Sequence, residues 1–336
     1  MADHQKKLGF FSRVLDAVPA GERYRLAEEQ IIYAEKLGFE TAWVAQHHFH
    51  PQEGGLPSPF VFLSNIAAKT KKIRLGTGVI TLPMESPVRV AEDAAVFDLL
   101  SNGRLELGFG TGGTRESFEV FGVDPDKRGE VYAHHLNVLR QAFAGEDLLD
   151  GNRLYPAAPH LLRRFWMATF SPFGGKLAGE KGDGLMLSRT QPRPADNPEA
   201  TLDEIQNPII DAYLSALPAG VKPRIMASRS LFVSRDRKHA LELAEKGLRS
   251  AAERLGKALT NVKGSSLEDL IVAFDQHVGT PEDVIASLKK DTSLNRATDV
   301  VFQVHSIDPP HEEILKSLEL TAKEVAPALG LSLAAH

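Results

Sequence analysis

Short apolar runs alternate along the chain with longer segments in which apolar residues recur at the period of a helix. This alternation is typical of βα units arranged around a parallel sheet. The pattern predicts eight strands, at residues 7–12, 41–45, 73–82, 104–109, 165–169, 185–188, 224–234 and 299–305. It predicts helices at residues 22–37, 57–70, 87–102, 127–144 and 174–180. We therefore expect an α/β fold, a (β/α)8 TIM barrel with insertions at the strand-end loops.

The predicted elements leave three stretches that are longer than ordinary loops, at residues 145–164, 191–207 and 256–277. Long excursions from a barrel usually form lids or substrate walls. We expect residues 256–277 to be a mobile lid, with Gly264, Ser265 and Ser266 as its flexible point.

Composition and charge narrow the class of protein. The 336 residues are 43% hydrophobic and 25% charged, so we expect one globular domain over residues 1–336. The net charge is −5 with both signs interspersed, which leaves no basic stripe for nucleic acid. No apolar signal segment and no run of about 18 apolar residues occurs, so we expect a cytoplasmic protein without membrane contact. The lack of cysteine excludes disulfides, thiolate metal ligands and cysteine nucleophiles.

Two adjacent histidines, His47 and His48, follow the second predicted strand directly. In parallel α/β proteins ligands bind at the carboxyl ends of strands, so we expect both histidines in a functional site. His48 and His50 could instead face one direction and bind a metal, with His305 or Asp308 among the further ligands that such a site needs. A metal-dependent hydrolase therefore stays open as an alternative.

Glycines interrupt two of the predicted strands or their ends. Gly76 and Gly78 lie inside the third strand, where they indicate either a flat ligand against the backbone or crowding by neighbouring strands. Residues 108–113, GFGTGG, match a dinucleotide fingerprint only weakly, but they expose backbone N–H groups to a ligand.

Two further positions allow a functional and a structural interpretation. Ser171 fits the N-cap of a short helix, and the N–H groups near Gly174 and Gly175 would bind a phosphate or would simply begin an ordinary helix. Arg229 lies inside a strand, where it meets either an anionic substrate or flavin group, or a structural carboxylate.

Seven segments, taken in order, resemble the bacterial luciferase-like flavin-dependent monooxygenase family over residues 8–329. They are AWVAQHHF at 42–49, IRLGTGVITLP at 73–83, PVRVAEDAAVFDLLSNGRLELGFGTG at 87–112, FEVFGVD at 118–124, LAGEKGDGLMLS at 177–188, VGTPEDV at 278–284 and DVVFQVHS at 299–306.

The resemblance implies a barrel that binds reduced FMN, or in one branch a deazaflavin, at the carboxyl ends of its strands. It implies activation of dioxygen as a flavin C4a-peroxide and transfer of one oxygen atom to a substrate. A separate flavin reductase would supply reduced FMN, because no nicotinamide-binding domain is recognisable. Apolar strand-end residues suit a small apolar substrate, and a non-catalytic flavin-binding member of the fold stays open as a second alternative.

The resemblance also implies roles for individual residues. His47 corresponds to the catalytic histidine, with His48 beside it. Arg229, from its position inside a strand and not from the resemblance, is the candidate for substrate binding. The candidates for cofactor binding are Thr77, Gly78, Val79, Thr111, Ser171, Gly174 and Gly175. By position, the bond between Gly78 and Val79 matches a cis peptide that lies against the flavin ring. Ser171 and the turn after it match a phosphate-binding turn.

Three departures separate this chain from the luciferases. Gln46 replaces a glutamate, Gly110 replaces a reactive cysteine and Thr111 replaces a phosphate-binding arginine, so we do not expect a luciferase. The resemblance implies a homodimer through the helices at 58–70 and 87–100, which carry more apolar residues than one face on a barrel needs.

Overall fold

Parallel strands form the centre of the computed structural model, which describes residues 6–255, 264–304 and 309–334. The strands are β1 (Lys6–Ser12), β2 (Thr41–Val44), β3 (Arg74–Thr81), β4 (Leu105–Gly110), β5 (Phe165–Ala168), β6 (Gly184–Leu187), β7 (Ile225–Val233), β8 (Gln276–Gly279), β9 (Asp299–Gln303) and β10 (Leu331–Ser332). β1 to β7 pair in sequence order, and β9 pairs with both β7 and β1. These eight strands close a barrel, which confirms the predicted fold.

Helices surround the barrel and connect its strands. They are α1 (Ala20–Lys36), α2 (Pro59–Lys69), α3 (Pro87–Leu100), α4 (Arg115–Val120), α5 (Arg128–Ala144), α6 (Pro172–Glu180), α7 (Leu202–Ala216), α8 (Arg237–Leu255), α9 (Leu267–Ala273), α10 (Pro281–Leu288), α11 (His311–Leu320) and α12 (Ala326–Ala328). The apolar residues between the strands and these helices form the main core of the protein.

The barrel interior contains a second, smaller core of Trp43, Trp166, Met186, Met226 and Val301. The rings of Trp43 and Trp166 meet edge to face with centroids 5.7 Å apart, an arrangement that aromatic quadrupoles favour. Below this core, the indole N–H of Trp166 donates to Glu106 Oε2 at 2.7 Å. The interior is therefore filled by side chains, and free space is left at the carboxyl ends of the strands.

The stretch predicted as a lid, residues 256–277, contains regular secondary structure where it is described. Residues 256–263 lie outside the described residues, and 264–277 contain α9 and the start of β8. Ser266 is the N-cap of α9, because its hydroxyl accepts from the Asp269 N–H at 3.1 Å. β8 pairs with the second half of β7 and extends the sheet there. The described part of this stretch is therefore regular secondary structure.

Candidate active site

A cavity of about 370 Å³ lies at the carboxyl ends of β1 to β7. Its walls are mostly apolar and include Phe11, Ala168, Phe170, Met186 and Met226. The same cavity is lined by His47, His48, Gly78 and Val79, which the sequence placed in the site. This is the end of the barrel at which the sequence predicted ligand binding.

The two glycines of β3 have different explanations. A Cβ atom on Gly76 would lie 2.2 Å from Trp43 Cε3, so the crowding interpretation holds for this residue. Gly78 lines the cavity, its bond to Val79 is a cis peptide, and a Cβ there would lie 2.8 Å from Phe11 Cε2. Gly78 and Val79 thus present a backbone edge to the cavity.

Thr77 does not reach the cavity, although the sequence placed it among the cofactor ligands. Its side chain is fully buried and faces β4. The hydroxyl donates to the carbonyl oxygen of Gly108 at 3.0 Å and accepts from the Gly108 N–H at 2.9 Å. Because both hydrogen-bonding functions are used, Thr77 joins β3 to β4 where the pairing register of these strands shifts.

His47 lies in the cavity wall and is almost fully enclosed. Its ring packs so closely on Gly54 that a Cβ there would lie 2.3 Å from Nδ1, and among the described residues this buried nitrogen has no hydrogen-bond partner. Burial lowers the pKa of His47 to about 3, with further contributions from Arg13, Arg189 and His48. His47 is therefore neutral throughout the physiological range.

His48 is half-buried beside His47, and its ring packs on Phe121 with centroids 4.8 Å apart. Burial lowers its pKa as well. His50 does not line the cavity, and the proposed further ligands His305 and Asp308 lie outside the described residues. Within 6–255, 264–304 and 309–334, no three or more His, Asp or Glu residues are placed to hold a metal ion.

Gln46, which stands where luciferases have glutamate, uses its amide fully. Its Oε1 accepts from the Thr81 N–H at 2.8 Å, and its Nε2 donates to the Pro57 carbonyl at 3.1 Å and to Glu85 Oε1 at 2.6 Å. A glutamate could not donate to these two acceptors. The amide therefore fixes the end of β3 against the loop that precedes α2.

The predicted phosphate turn lies beside the cavity and not in its wall. The Ser171 hydroxyl accepts from the Gly174 N–H at 3.2 Å, which makes Ser171 the N-cap of α6 as predicted. The Gly175 N–H donates to the Ser171 carbonyl at 3.0 Å, and a Cβ on Gly175 would lie 2.6 Å from the Ile209 carbonyl oxygen. Close packing of α6 on α7 thus explains Gly175. Thr111 is exposed and does not line the cavity, although Gly112 beside it does.

Arg229 has a structural role, and its expected role in substrate binding is not supported by its position. It is fully buried in β7 and does not line the cavity. Its guanidinium donates to Asp291 Oδ2 at 2.6 Å, to the Ser293 hydroxyl at 2.6 Å and to Gln206 Oε1 at 2.9 Å. These partners occupy the guanidinium and tie β7 to α7 and to the turn before β9.

Two arginines that the sequence analysis missed line the cavity. Arg13 directly follows β1 and Arg189 is the second residue after β6. Burial and the positive charge of Arg13 lower the pKa of Arg189 to about 9, while Asp275 partly opposes this effect. Both positions follow predicted strands, so the rule that identified His47 and His48 could also have identified these arginines.

The sequence profile of the family described as Luciferase-like monooxygenase matches residues 9–294, most of the chain. The chain belongs to this family.

No helix among the described residues is long and apolar enough to cross a membrane.

Relatives in this family include uncharacterised and characterised proteins. The y4vJ protein of Sinorhizobium fredii is 26% identical over 328 residues, which cover 91% of each chain. Limonene 1,2-monooxygenase of Rhodococcus erythropolis is 31% identical over 49% of this chain and 44% of its own length. The oxygenase component of the flavin-dependent trigonelline monooxygenase of Acinetobacter baylyi is 28% identical over 52% of this chain and 51% of its own length. The matches to both characterised enzymes thus span about half of each chain.

Solved structures of low sequence identity share the fold. The monooxygenase RslO1 of Streptomyces bottropensis superposes with a TM-score of 0.74 at 24% identity, covering 96% of this chain and 99% of that one. The oxygenating constituent of 3,6-diketocamphane monooxygenase of Pseudomonas putida, solved in complex with FMN, gives a TM-score of 0.73 at 17% identity, covering 98% and 99%. A coenzyme F420-dependent reductase of Methanopyrus kandleri gives 0.67 at 20% identity, covering 97% and 99%. The fold is thus shared with FMN-binding and F420-dependent enzymes.

Proposed function

We propose that this protein is the oxygenase component of a flavin-dependent monooxygenase, which uses reduced FMN and dioxygen to oxygenate a small organic substrate. The observation that carries the proposal is the cavity at the carboxyl ends of the strands, where the backbone of Gly78 and Val79 faces mostly apolar walls. Membership in the luciferase-like monooxygenase family supports it. Bound FMN would supply the redox and oxygen chemistry, and the protein would supply its surroundings.

The residues around the cavity fit a flavin. Gly78 has no side chain, so a planar ring can lie against the backbone there, and Gly112 and Gly113 line the cavity from the loop after β4. The Ser171 hydroxyl, which accepts from Gly174, can still donate to a phosphate oxygen at the positive end of α6. We therefore assign the ring to the β3 side of the cavity and the phosphate to the Ser171 turn.

The other cavity residues would exclude water and handle protons. Phe11, Met186 and Met226 give the cavity apolar walls, which limit the access of water to a reactive centre. Neutral His47 has an unprotonated ring nitrogen, which can take up a proton released at the reacting centre as a general base does. We assign this proton-handling role to His47, with His48 as its neighbour.

Reconstitution with defined cofactors tests the proposal. The protein would be titrated with FMN and with a deazaflavin, and then mixed with a separate reductase, NADH and a panel of organic substrates. We expect FMN to bind in a one-to-one ratio, and a true substrate to lower the hydrogen peroxide released per dioxygen consumed. Binding of neither flavin would refute the proposal. Bound FMN with peroxide release unaffected by every compound would favour the non-catalytic alternative.

The separate reductase is part of this proposal. Two relatives are described as an oxygenase component and as an oxygenating constituent, which supports a two-component system here.

We also propose that the protein forms a homodimer through α2 and α3. Several large apolar side chains of these helices are exposed, including Val61 at 73%, Leu99 at 63% and Leu100 at 67%. Tyr155, at 88% exposure, lines a surface groove together with Val61. Light scattering should show a dimer that Leu100→Glu weakens, and a wild-type monomer at micromolar concentration would refute the proposal.

A further inference from the structure

Arg189 differs from Arg229 and Arg193, two other arginines placed deep in the barrel, because no carboxylate is paired with it. It is surrounded by protein, yet it lines the cavity and keeps part of its surface accessible from there. Its hydrogen bond to the Ser230 hydroxyl is long, at 3.5 Å. Among the described residues, no Asp or Glu oxygen lies within 4.0 Å of its guanidinium, whereas Arg229 pairs with Asp291 and Arg193 with Asp275.

The electrostatic surroundings of Arg189 are positive. Arg13 lines the same cavity from the end of β1, and no described Asp or Glu is part of the lining. Asp275, whose charge opposes the lowering of the Arg189 pKa, already forms an ion pair with Arg193. Two arginines and no described carboxylate thus line the cavity.

A buried cation without a counter-ion is unfavourable, because its removal from water costs more free energy than its few contacts contribute. This free-energy cost falls when an anion enters the cavity and accepts hydrogen bonds from the guanidinium. The planar guanidinium matches the two oxygens of a carboxylate in a bidentate geometry. The rest of the lining, including Phe11, Met186 and Met226, suits an apolar body.

We propose that the substrate of this site is a carboxylate with an apolar body, and that Arg189, supported by Arg13, binds its carboxylate group. This inference rests on the proposed function, because it names the substrate class of the same monooxygenase site. Arg189 follows β6, whereas the backbone edge that we assign to the flavin ring lies on β3. The carboxylate thus lies on the β6 side of the cavity, and the flavin ring on the β3 side.

Binding of matched acid and amide probes tests the inference without turnover. Phenylacetate and phenylacetamide, and octanoate and octanamide, would be titrated calorimetrically into FMN-loaded protein. We expect each acid to bind at least about tenfold more tightly than its amide, since a bidentate charged pair is lost with the amide. Equal binding of acid and amide to the wild type would overturn the proposal.

Variants assign the preference to Arg189. Arg189→Met should reduce the preference to below about threefold while leaving amide binding unchanged, and Arg189→Lys should retain part of it. Arg25→Met is the matched control, because Arg25 is exposed on α1 and pairs with Glu22 and Glu29. Its preference for acids should equal that of the wild type.

The remaining outcomes distinguish a failure of this inference from a failure of the proposed function. Arg189→Met should melt no lower than the wild type, because it removes a buried charge that has no carboxylate partner. If Arg189→Met lowers FMN affinity but keeps the acid preference, Arg189 serves the cofactor and the proposal is wrong. If acids bind through Arg189 but no substrate is oxygenated, the anion site stands and the proposed function fails. If only neutral compounds are oxygenated, the proposed function stands and this inference fails.

Discussion

At the scale of single residues, His47 combines a position in the cavity wall with a strongly lowered pKa. If it handles a proton in the reaction, His47→Ala should leave FMN affinity within a few-fold of the wild type. Product formed per flavin oxidised should fall, with hydrogen peroxide rising to match, since general acid–base roles are worth about 10²–10⁴-fold in rate. Product and peroxide assays measure this coupling.

His50→Ala is the matched control for His47→Ala, because His50 is adjacent in sequence but does not line the cavity. The amount of product formed per flavin oxidised by His50→Ala should equal that of the wild type. A stable His47→Ala protein with unchanged coupling would contradict the assignment of His47. Loss of a bound metal ion from His50→Ala would instead favour the hydrolase alternative.

Gln46 gives a second prediction at this scale. Gln46→Glu replaces an amide donor by an oxygen that faces the Pro57 carbonyl and Glu85, whose own pKa is already raised by burial. We expect Gln46→Glu to lower the free energy of unfolding by about 1–3 kcal/mol, the usual effect of an unsatisfied buried polar group. Urea unfolding at pH 7 measures it. Gln46→Glu/Glu85→Gln should recover part of the loss, and absence of any loss would show that the amide contacts contribute little.

At the scale of elements, the turn between β5 and α6 carries the proposed phosphate site. A Cβ on Gly174 would lie 2.0 Å from Thr169 Oγ1, which itself accepts from the Ser171 N–H at 3.2 Å. Gly174→Ala should therefore displace this turn and weaken FMN binding by about 10-fold or more, the value of one charged hydrogen bond, while riboflavin binding changes little. Fluorescence titration with both ligands measures the difference.

The control for Gly174→Ala is Gly129→Ala, since a Cβ there meets no atom within 4 Å. Its affinities for FMN and riboflavin should equal those of the wild type. Equal affinity of the wild type for FMN and riboflavin would remove the phosphate turn from the proposed site.

The sequence predicted the elements that hydrophobic patterning specifies. All eight barrel strands were predicted because they are continuous apolar or β-branched runs, as buried parallel strands require. β8 was missed because its sequence, QHVG, is short and half polar, and it forms only by pairing with the end of β7. Secondary structure that depends on such a distant partner leaves little local signal in the sequence.

The site residues found from the sequence also had local signals. His47 and His48 were found because they follow a predicted strand directly, and Gly78 and Val79 were found through a glycine inside a strand and the family resemblance. The structural role of Arg229 was open because its partners Gln206 and Asp291 lie 23 and 62 positions away. The chain pattern shows that a charge is present, but only the fold shows which charges are paired.

At the scale of the whole molecule, neutral buried histidines make stability depend on pH. The pKa of His47 is about 3 in the folded protein, whereas that of an unburied histidine is 6.5. Below pH 6.5 the unfolded chain binds a proton that the folded protein does not, so this histidine lowers stability as pH falls. The loss is about 1.4 kcal/mol per pH unit between pH 6.5 and about 3.

Comparison of the wild type with His47→Ala isolates this effect, because both proteins share all other titrating groups. The free energy of unfolding of the wild type should fall relative to that of His47→Ala by about 2 kcal/mol between pH 6.5 and about pH 4.5. Urea unfolding at several pH values gives both curves. Parallel curves would mean that folding does not lower the pKa of His47.

The pairing of β1 with β10 brings the first and last described strands together, with Lys6 opposite Leu331 and Lys7 opposite Ser332. The Ser332 hydroxyl also donates to the Lys6 carbonyl at 3.1 Å. This seam is at the amino end of β1, remote from the cavity, so a short peptide linker could join the two strands covalently. New termini could then be opened at Gly151, in an exposed turn. Such a circular permutant should keep the barrel, and it would provide a fusion point on the α5–β5 connection.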